Sequence, residues 1–198
     1  FSRGAYTVRS VAGLIRNCGI LRPEHAGRID QAYRLYRSRT HGPHAVESRL
    51  FRRSYSHPDL GVRFIGVWDT VGALGLPWSG VPFVKWFNRR WAFHDTKLSG
   101  TVQAAFHALS IDEHRKPFEA AVWELPDPEP GQVLEQIWFA GDHSNVGGGS
   151  RDPGLADIAL RWMASRAVEQ GLALLPGAFG LDDAAEPPSD PLLTVRPD

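Results

Sequence analysis

Ser2, Asp69 and His143 are residues whose types could together perform nucleophilic chemistry. A serine hydroxyl is a poor nucleophile until an imidazole takes its proton, and a buried carboxylate must hold that imidazole in the required tautomer. Their order along the chain, serine then acid then histidine, is the order of α/β-hydrolases and differs from that of chymotrypsin and subtilisin. We therefore predict that Ser2 attacks a substrate, His143 transfers protons and Asp69 orients the imidazole.

The opening stretch "FSRGAYTVR" is typical of the second half of a G-x-S-x-G nucleophile elbow. In such an elbow the glycine after next, here Gly4, lets the chain turn without a side-chain clash. The backbone N–H of the residue after the serine, here Arg3, points at the developing oxyanion. Because an elbow normally follows a strand, we expect a strand upstream of Phe1 and an N-terminally incomplete fold in this sequence.

Two other histidines compete with His143 for the role of base. His107 lies among Phe106, Ala108 and Leu109, in a stretch (101–114) whose apolar pattern predicts a helix. A histidine in such surroundings is more typical of a core or supporting residue. His114 is a weaker alternative. His143 is favoured because it stands at a strand-to-loop junction, after the predicted strand 133–141.

The fold predicted from the apolar spacing is α/β, with a mostly parallel, α/β-hydrolase-like sheet flanked by helices. Residues 1–175 would form a partial catalytic domain, and the proline-rich residues 176–198 a loop or the start of a further segment. In the first helix, Val8 is predicted on the apolar face, and Arg9 and Asn17 on the outside. The predicted helices cover 5–18, 23–39, 45–55, 101–114 and 153–170, and the predicted strands cover 62–72, 119–125 and 133–141.

Composition excludes several classes of protein. Twenty-two basic and 22 acidic residues cancel, so no long-range field would draw the chain to nucleic acid or to an anionic membrane. Cys18 is the only cysteine, so a disulfide-stapled scaffold is excluded, and its place on the apolar side of a helix predicts a buried thiol. No apolar run approaches the roughly 20 residues of a membrane-spanning helix.

Neither a metal nor an organic cofactor is predicted. Acidic residues accompany His143 and His114, but neither group has the spacing of a zinc site. The glycines at 147–149 lack the lysine and hydroxyl residue of a nucleotide-binding loop. We interpret these glycines as a tight turn that passes close to the site.

An aromatic-rich stretch, 72–93, follows Asp69. It could form a lid or a surface for an acyl chain, with Arg89 and Arg90 near lipid head groups, which would allow peripheral membrane contact. It could equally pack the edge of the core. The sequence leaves both readings open.

Four motifs, in order "FSRGAYTVR", "GVWDTVGALG", "FHALSIDEHRKPF" and "WFAGDHSNVGGG", resemble the α/β-hydrolase domain of the type VI secretion phospholipase effectors (Tle-like), including related uncharacterised proteins of bacteria and fungi. By that resemblance Ser2 is the nucleophile, Asp69 the triad acid and His143 the triad histidine, and Asn145 stands where family members commonly have Asp.

The resemblance also implies a function. The expected activity is hydrolysis of carboxylic esters, with phospholipid as substrate, in an antibacterial effector delivered into a target cell. Its expected partners are a secretion apparatus and an immunity protein. Two alternatives stay open: a non-catalytic lipid- or protein-binding module that keeps the scaffold, and a fragment inactive without its first strands.

Overall fold

The computed structural model describes residues 1–38, 40–58, 60–71, 97–124, 128–175 and 177–180. The aromatic-rich stretch singled out above begins at the first residue of an undescribed segment, 72–96, and lies outside the described residues. Most of the proline-rich segment 176–198 also lies outside them.

A three-stranded parallel sheet forms the centre of the described chain. Its strands are β1 (Val62–Trp68), β2 (Val102–Ser110) and β3 (Val133–Phe139), in the spatial order β1-β2-β3. Strand β2 pairs with both neighbours, with His107 opposite Val67 and Gln136. Because all three strands run in the same direction, the loops that carry Asp69 and His143 leave the same edge of the sheet.

Helices cover both faces of the sheet. On one face, α1 (Ser2–Cys18) packs Ala5 and Ala12 against Ile65 and Val67. On the other face, α5 (Gly154–Glu169) packs Trp162 and Met163 against Phe106 and other side chains of the sheet. The remaining helices of the described residues are α2 (Ile29–Arg37), α3 (Val46–Tyr55) and α4 (His143–Gly147), and 3₁₀ turns cover Pro23–Arg28, Lys116–Phe118 and Ala178–Gly180. The described part of the chain is therefore α/β, as predicted.

Helices α2 and α3 pack on α1 away from the sheet. They form a small core of their own with Cys18, Ala32 and Phe51. The Cys18 thiol is fully buried and donates to the Ala32 carbonyl at 3.2 Å, and its burial raises the pKa of the thiol. The prediction of a buried thiol is therefore confirmed.

Two predicted elements are wrong. Residues 102–110 of the predicted helix 101–114 form strand β2. This strand is buried on both faces, so it has no alternation of polar and apolar residues, and periodicity alone does not separate such a run from a buried helix. The predicted strand 119–125 forms only isolated bridges at Ala120 and Glu124 over its described residues.

The predicted faces of α1 are partly wrong. Arg9 was expected outside but is 2% exposed, and Asn17 is also buried. The Arg9 guanidinium lies 4.3 Å from the centre of the Trp123 ring and donates to the Ala121 carbonyl. These contacts compensate the burial of its charge. Val8, predicted on the apolar face, is instead 46% exposed.

Among the helices of the described residues, none combines the length and the apolar character needed to cross a bilayer.

Candidate active site

Ser2 is the first residue of α1, and its backbone has a φ of 57°. This left-handed conformation is uncommon for a residue with a side chain and is found mostly in tight turns and at functional sites. The turn sets the serine at the N-terminal end of the helix, where the helix dipole favours negative charge. A sharp turn into a helix is the local shape that the segment Ser2-Arg3-Gly4 predicts.

Asp69 follows β1 directly and is fully buried. Its backbone also has a positive φ, 38°, and its N–H donates to the Ala108 carbonyl at 2.7 Å. The carboxylate receives hydrogen bonds from the backbone and hydroxyl of Ser110 and from the ring of His143. These three donors compensate the removal of its charge from water.

His143 is the first residue of α4, four residues after the end of β3. Asp142 caps this helix by accepting from the N–H groups of Ser144 and Asn145, and the Asn145 side chain accepts from the Asp142 N–H in return. The capping box fixes the turn on which the histidine stands. Asn145 thus has a role in the helix cap.

The imidazole of His143 lies between two aromatic rings. The ring centre of Phe1 is 4.4 Å away, and that of Phe118 is 4.7 Å away. The histidine is 4% exposed. The two rings therefore restrict the tilt of the imidazole and its contact with water.

The three side chains form a continuous chain of hydrogen bonds. His143 Nε2 lies 2.9 Å from Ser2 Oγ, and His143 Nδ1 lies 2.6 Å from Asp69 Oδ2. An ionised carboxylate can only accept, so Nδ1 carries the proton in this contact. In the neutral ring Nε2 is then the acceptor, and the Ser2 hydroxyl donates to it. The structure thus brings together three residues that the sequence separates by up to 141 positions.

Comparison with known proteins assigns the chain to a family. The family model described as "T6SS, Phospholipase effector Tle1-like, catalytic domain" matches residues 1–166. The chain belongs to this family.

One curated relative is an uncharacterized protein of Saccharomyces cerevisiae, YEL023C. It is 41% identical over 51 residues, which are 23% of this chain and 8% of the yeast protein. The match therefore spans a small part of that relative's length. No solved structure matches the chain.

In this Tle1-like domain, the segment after β2 is hydrogen-bonded to the loop that carries His143. Asp112 accepts from the Gly141 N–H at 2.7 Å and donates its own N–H to the Gly141 carbonyl at 3.1 Å. Glu113 accepts from the His143 N–H at 3.4 Å. Its side chain is 5% exposed, and hydrogen bonds from Arg115 lower the pKa of the carboxyl to about 2. The segment thus links β2 to the histidine loop.

His107 has a different environment from His143. It is fully buried in β2, and burial lowers the pKa of its ring to about 3. Its Nε2 lies 3.0 Å from the Thr70 N–H, so Nε2 is the acceptor, and Nδ1 faces the Gln136 side-chain oxygen at 3.3 Å. Both ring nitrogens are therefore engaged in bonds that a neutral imidazole satisfies. His114 is exposed.

Arg3 and Gly4, the predicted oxyanion and elbow residues, lie in the first turn of α1. Backbone N–H groups there have no partner within the helix, so the Arg3 N–H is suited to an anion. Within the described part of the chain, a Cβ on Gly4 would meet no heavy atom within 4 Å. Among those residues, no neighbouring atom requires a glycine at position 4, contrary to the prediction.

A steric need does exist at Gly147, one of the glycines that the sequence predicts to turn tightly and pass close to the site. A Cβ there would lie 2.0 Å from an atom of the Phe1 ring. The neighbouring Gly148 has a φ of 86° and ends α4. The run therefore turns the chain and makes room for Phe1 beside His143.

Sequence reasoning missed Ser110 and Phe118 as parts of the site, and it did not predict the contact of Gly147 with Phe1. The first two lie in the motif "FHALSIDEHRKPF", which carried the family resemblance but no assigned role. Their contacts depend on which strands are neighbours, and the predicted helix at 101–114 hid that relation.

In the ranges that the structure describes, no three His, Cys, Asp or Glu side chains come close enough to share a metal ion. Asp142, near His143, is used in the cap of α4, and Glu113 is bonded to Arg115.

Proposed function

We propose that residues 1–175 form an α/β-hydrolase catalytic domain that cleaves carboxylic esters of phospholipids through an acyl-enzyme. The observation that carries this proposal is the hydrogen-bond chain from Ser2 through His143 to Asp69. Membership of the phospholipase effector family supports lipid as the substrate class. It also supports delivery into a target cell by a type VI apparatus, with an immunity protein as a partner.

In the first half of the proposed reaction, Ser2 Oγ attacks the ester carbonyl carbon while its proton passes to His143 Nε2. Asp69 stabilises the resulting imidazolium through Nδ1. The oxyanion lies against the Arg3 N–H at the positive end of α1. When the tetrahedral intermediate collapses, the C–O bond to the alcohol breaks, and His143 Nε2–H protonates the leaving lysophospholipid oxygen.

In the second half, water attacks the acyl group on Ser2. His143 removes a proton from that water, and the second tetrahedral intermediate releases the fatty acid. The proton returns to Ser2 Oγ, which restores the starting state. No metal or organic cofactor takes part in any step of this scheme.

The proposal is tested by offering the purified chain a short-chain nitrophenyl ester and phospholipid vesicles. Ser2→Ala is the test variant. Ser165→Ala, which changes a serine of α5 on the far face of the sheet, is the matched control. We expect Ser2→Ala to lose at least about 1,000-fold in kcat, because removal of a triad member leaves only binding and oxyanion stabilisation. The control should keep wild-type turnover.

Equal turnover in wild type and Ser2→Ala would overturn the proposal. Vesicle binding without turnover in either protein would favour a non-catalytic lipid-binding module instead.

A further inference from the structure

Ser110 holds the carboxylate of Asp69 at two points. It is the last residue of β2, at the edge of the sheet from which the Asp69 loop leaves. Its backbone N–H donates to Asp69 Oδ1 at 3.1 Å, and its hydroxyl donates to Oδ2 at 2.7 Å. Ser110 is 4% exposed and Asp69 is fully buried, so water does not compete freely for these bonds.

The hydroxyl of Ser110 shares one oxygen with the histidine. Asp69 Oδ2 accepts from Ser110 Oγ and, at 2.6 Å, from His143 Nδ1. A carboxylate attached by a single bond has a broad torsional preference. Two donors from one residue, one on each oxygen, fix the plane of the group. That plane determines whether Oδ2 points at the imidazole.

We propose that Ser110 is a positioning residue of the site: it fixes the Asp69 carboxylate so that Oδ2 faces His143 Nδ1. This inference rests on the proposed ester-hydrolase function. Ser110 does not touch substrate in this scheme and acts only through Asp69. Loss of the Ser110 hydroxyl leaves the buried Asp69 carboxylate with one hydrogen-bond donor fewer and allows the carboxylate to turn. The imidazole then spends less time aligned with Ser2.

The chain offers a closely matched control for Ser110. Ser99 lies just before the start of β2, and Ser110 is the last residue of β2. Both serines are 4% exposed. The Ser99 hydroxyl bonds to Thr101 at 2.8 Å and makes no contact with the triad within the described residues. Ser99→Ala therefore removes the same buried hydroxyl group at the other end of the same strand.

The first test needs no turnover. In a proton NMR spectrum of the full chain, the His143 Nδ1–H should give a far-downfield resonance, assigned by its loss in His143→Gln. We expect Ser110→Ala to shift this resonance upfield or broaden it beyond detection, and Ser99→Ala to leave it in place. If Ser110→Ala does not fold, Ser110→Cys keeps the side-chain size and replaces the hydroxyl with a weak donor.

The second test is kinetic. With the nitrophenyl ester, we expect Ser110→Ala to lower kcat between about 10-fold and 100-fold with KM nearly unchanged, because alignment is altered and substrate binding is not. Ser99→Ala should match wild type in both constants. A wild-type Nδ1–H resonance and wild-type kcat in Ser110→Ala would overturn the inference. An inactive wild-type chain that still shows the expected NMR change would instead count against the proposed function.

Discussion

His107 accepts a hydrogen bond at Nε2 from the backbone N–H of Thr70, the residue directly after Asp69. The contact joins β2 to the turn that carries the acid, one residue after Asp69, whose backbone has a φ of 38°. Protonation of Nε2 would set two N–H groups against each other. The bond therefore requires a neutral ring, and burial favours the same state by lowering the pKa of His107 to about 3.

The stability of the protein should fall on acidification because of His107. In the unfolded chain the residue binds a proton below its ordinary pKa of 6.5, whereas in the folded chain it does so only below about 3. Between these values the unfolded state holds more protons, so the free energy of unfolding falls by up to about 1.4 kcal/mol per pH unit as pH decreases. In His107→Gln, whose amide oxygen can accept from Thr70, this contribution should disappear. Urea unfolding at several pH values measures the difference, and parallel stability curves would contradict the assignment.

The two buried histidines should differ in their effect on activity. His143→Gln should lose at least about 1,000-fold in kcat, since no base then faces Ser2. His107→Gln should keep kcat within about tenfold of wild type, because His107 contacts the backbone next to Asp69 but not the reacting groups. Ester hydrolysis by the two variants, both checked for folding by circular dichroism, measures this. A larger loss in His107→Gln than in His143→Gln would reverse the roles of these residues.

The three side chains that meet at the candidate site could be named from the sequence, since Ser2, Asp69 and His143 each stand at the end of a strand or the start of a helix. A short apolar run ends shortly before Asp69 and before His143, whereas Ser2 was identified from the Ser-x-Gly segment that leads into a helix and from the family resemblance. Strand β2 could not be predicted from the sequence, because a continuously buried run of Ala, Phe, His and Leu fits a buried helix as well as a strand. Because this stretch was predicted to be a helix, the strand register that places Ser110 and His107 beside Asp69 could not be predicted.

The inward position of Arg9 was also unpredictable from helical spacing. Its burial depends on Trp123 and on the carbonyls of Ala121 and Val122, more than 100 residues away in the sequence. A local pattern carries no information on such distant partners. For the same reason Gly147 gave only a general turn signal, while its contact with Phe1 required the folded chain.

Gly147→Ala should impair activity by displacing Phe1. The added methyl group would overlap the Phe1 ring, which packs on His143 and adjoins Ser2. We expect kcat to fall about tenfold or more, although alanine itself favours the helix. The matched control is Gly148→Asn. Gly148 has a φ of 86° with no described heavy atom near its Cβ position, and asparagine tolerates that conformation. Equal kcat in both variants would show that the Phe1 contact is not needed.

Glu113 should make the free energy of unfolding depend on pH in a more acidic range than His107 does. Hydrogen bonds from Arg115 hold its pKa at about 2, below the ordinary 4.5, so the ionised side chain stabilises the folded state. That contribution is complete above about pH 4.5 and is lost as pH falls towards about 2. Glu113→Gln should therefore have a shallower loss of stability across this window than wild type. Added salt should reduce the difference, since Arg115 is half-exposed. A steeper loss in the variant would contradict this account.

The most direct test of the account is covalent labelling of Ser2 with an alkyl fluorophosphonate. A serine activated by its histidine attacks phosphorus and expels fluoride, which leaves a stable phosphonyl ester on the hydroxyl. Mass spectrometry of the digested chain should find this adduct on Ser2 in wild type and in Ser99→Ala, and should find none in His143→Ala. An unmodified Ser2 in the wild-type chain, or equal labelling of Ser2 without His143, would contradict the claim that these two residues form an activated nucleophile.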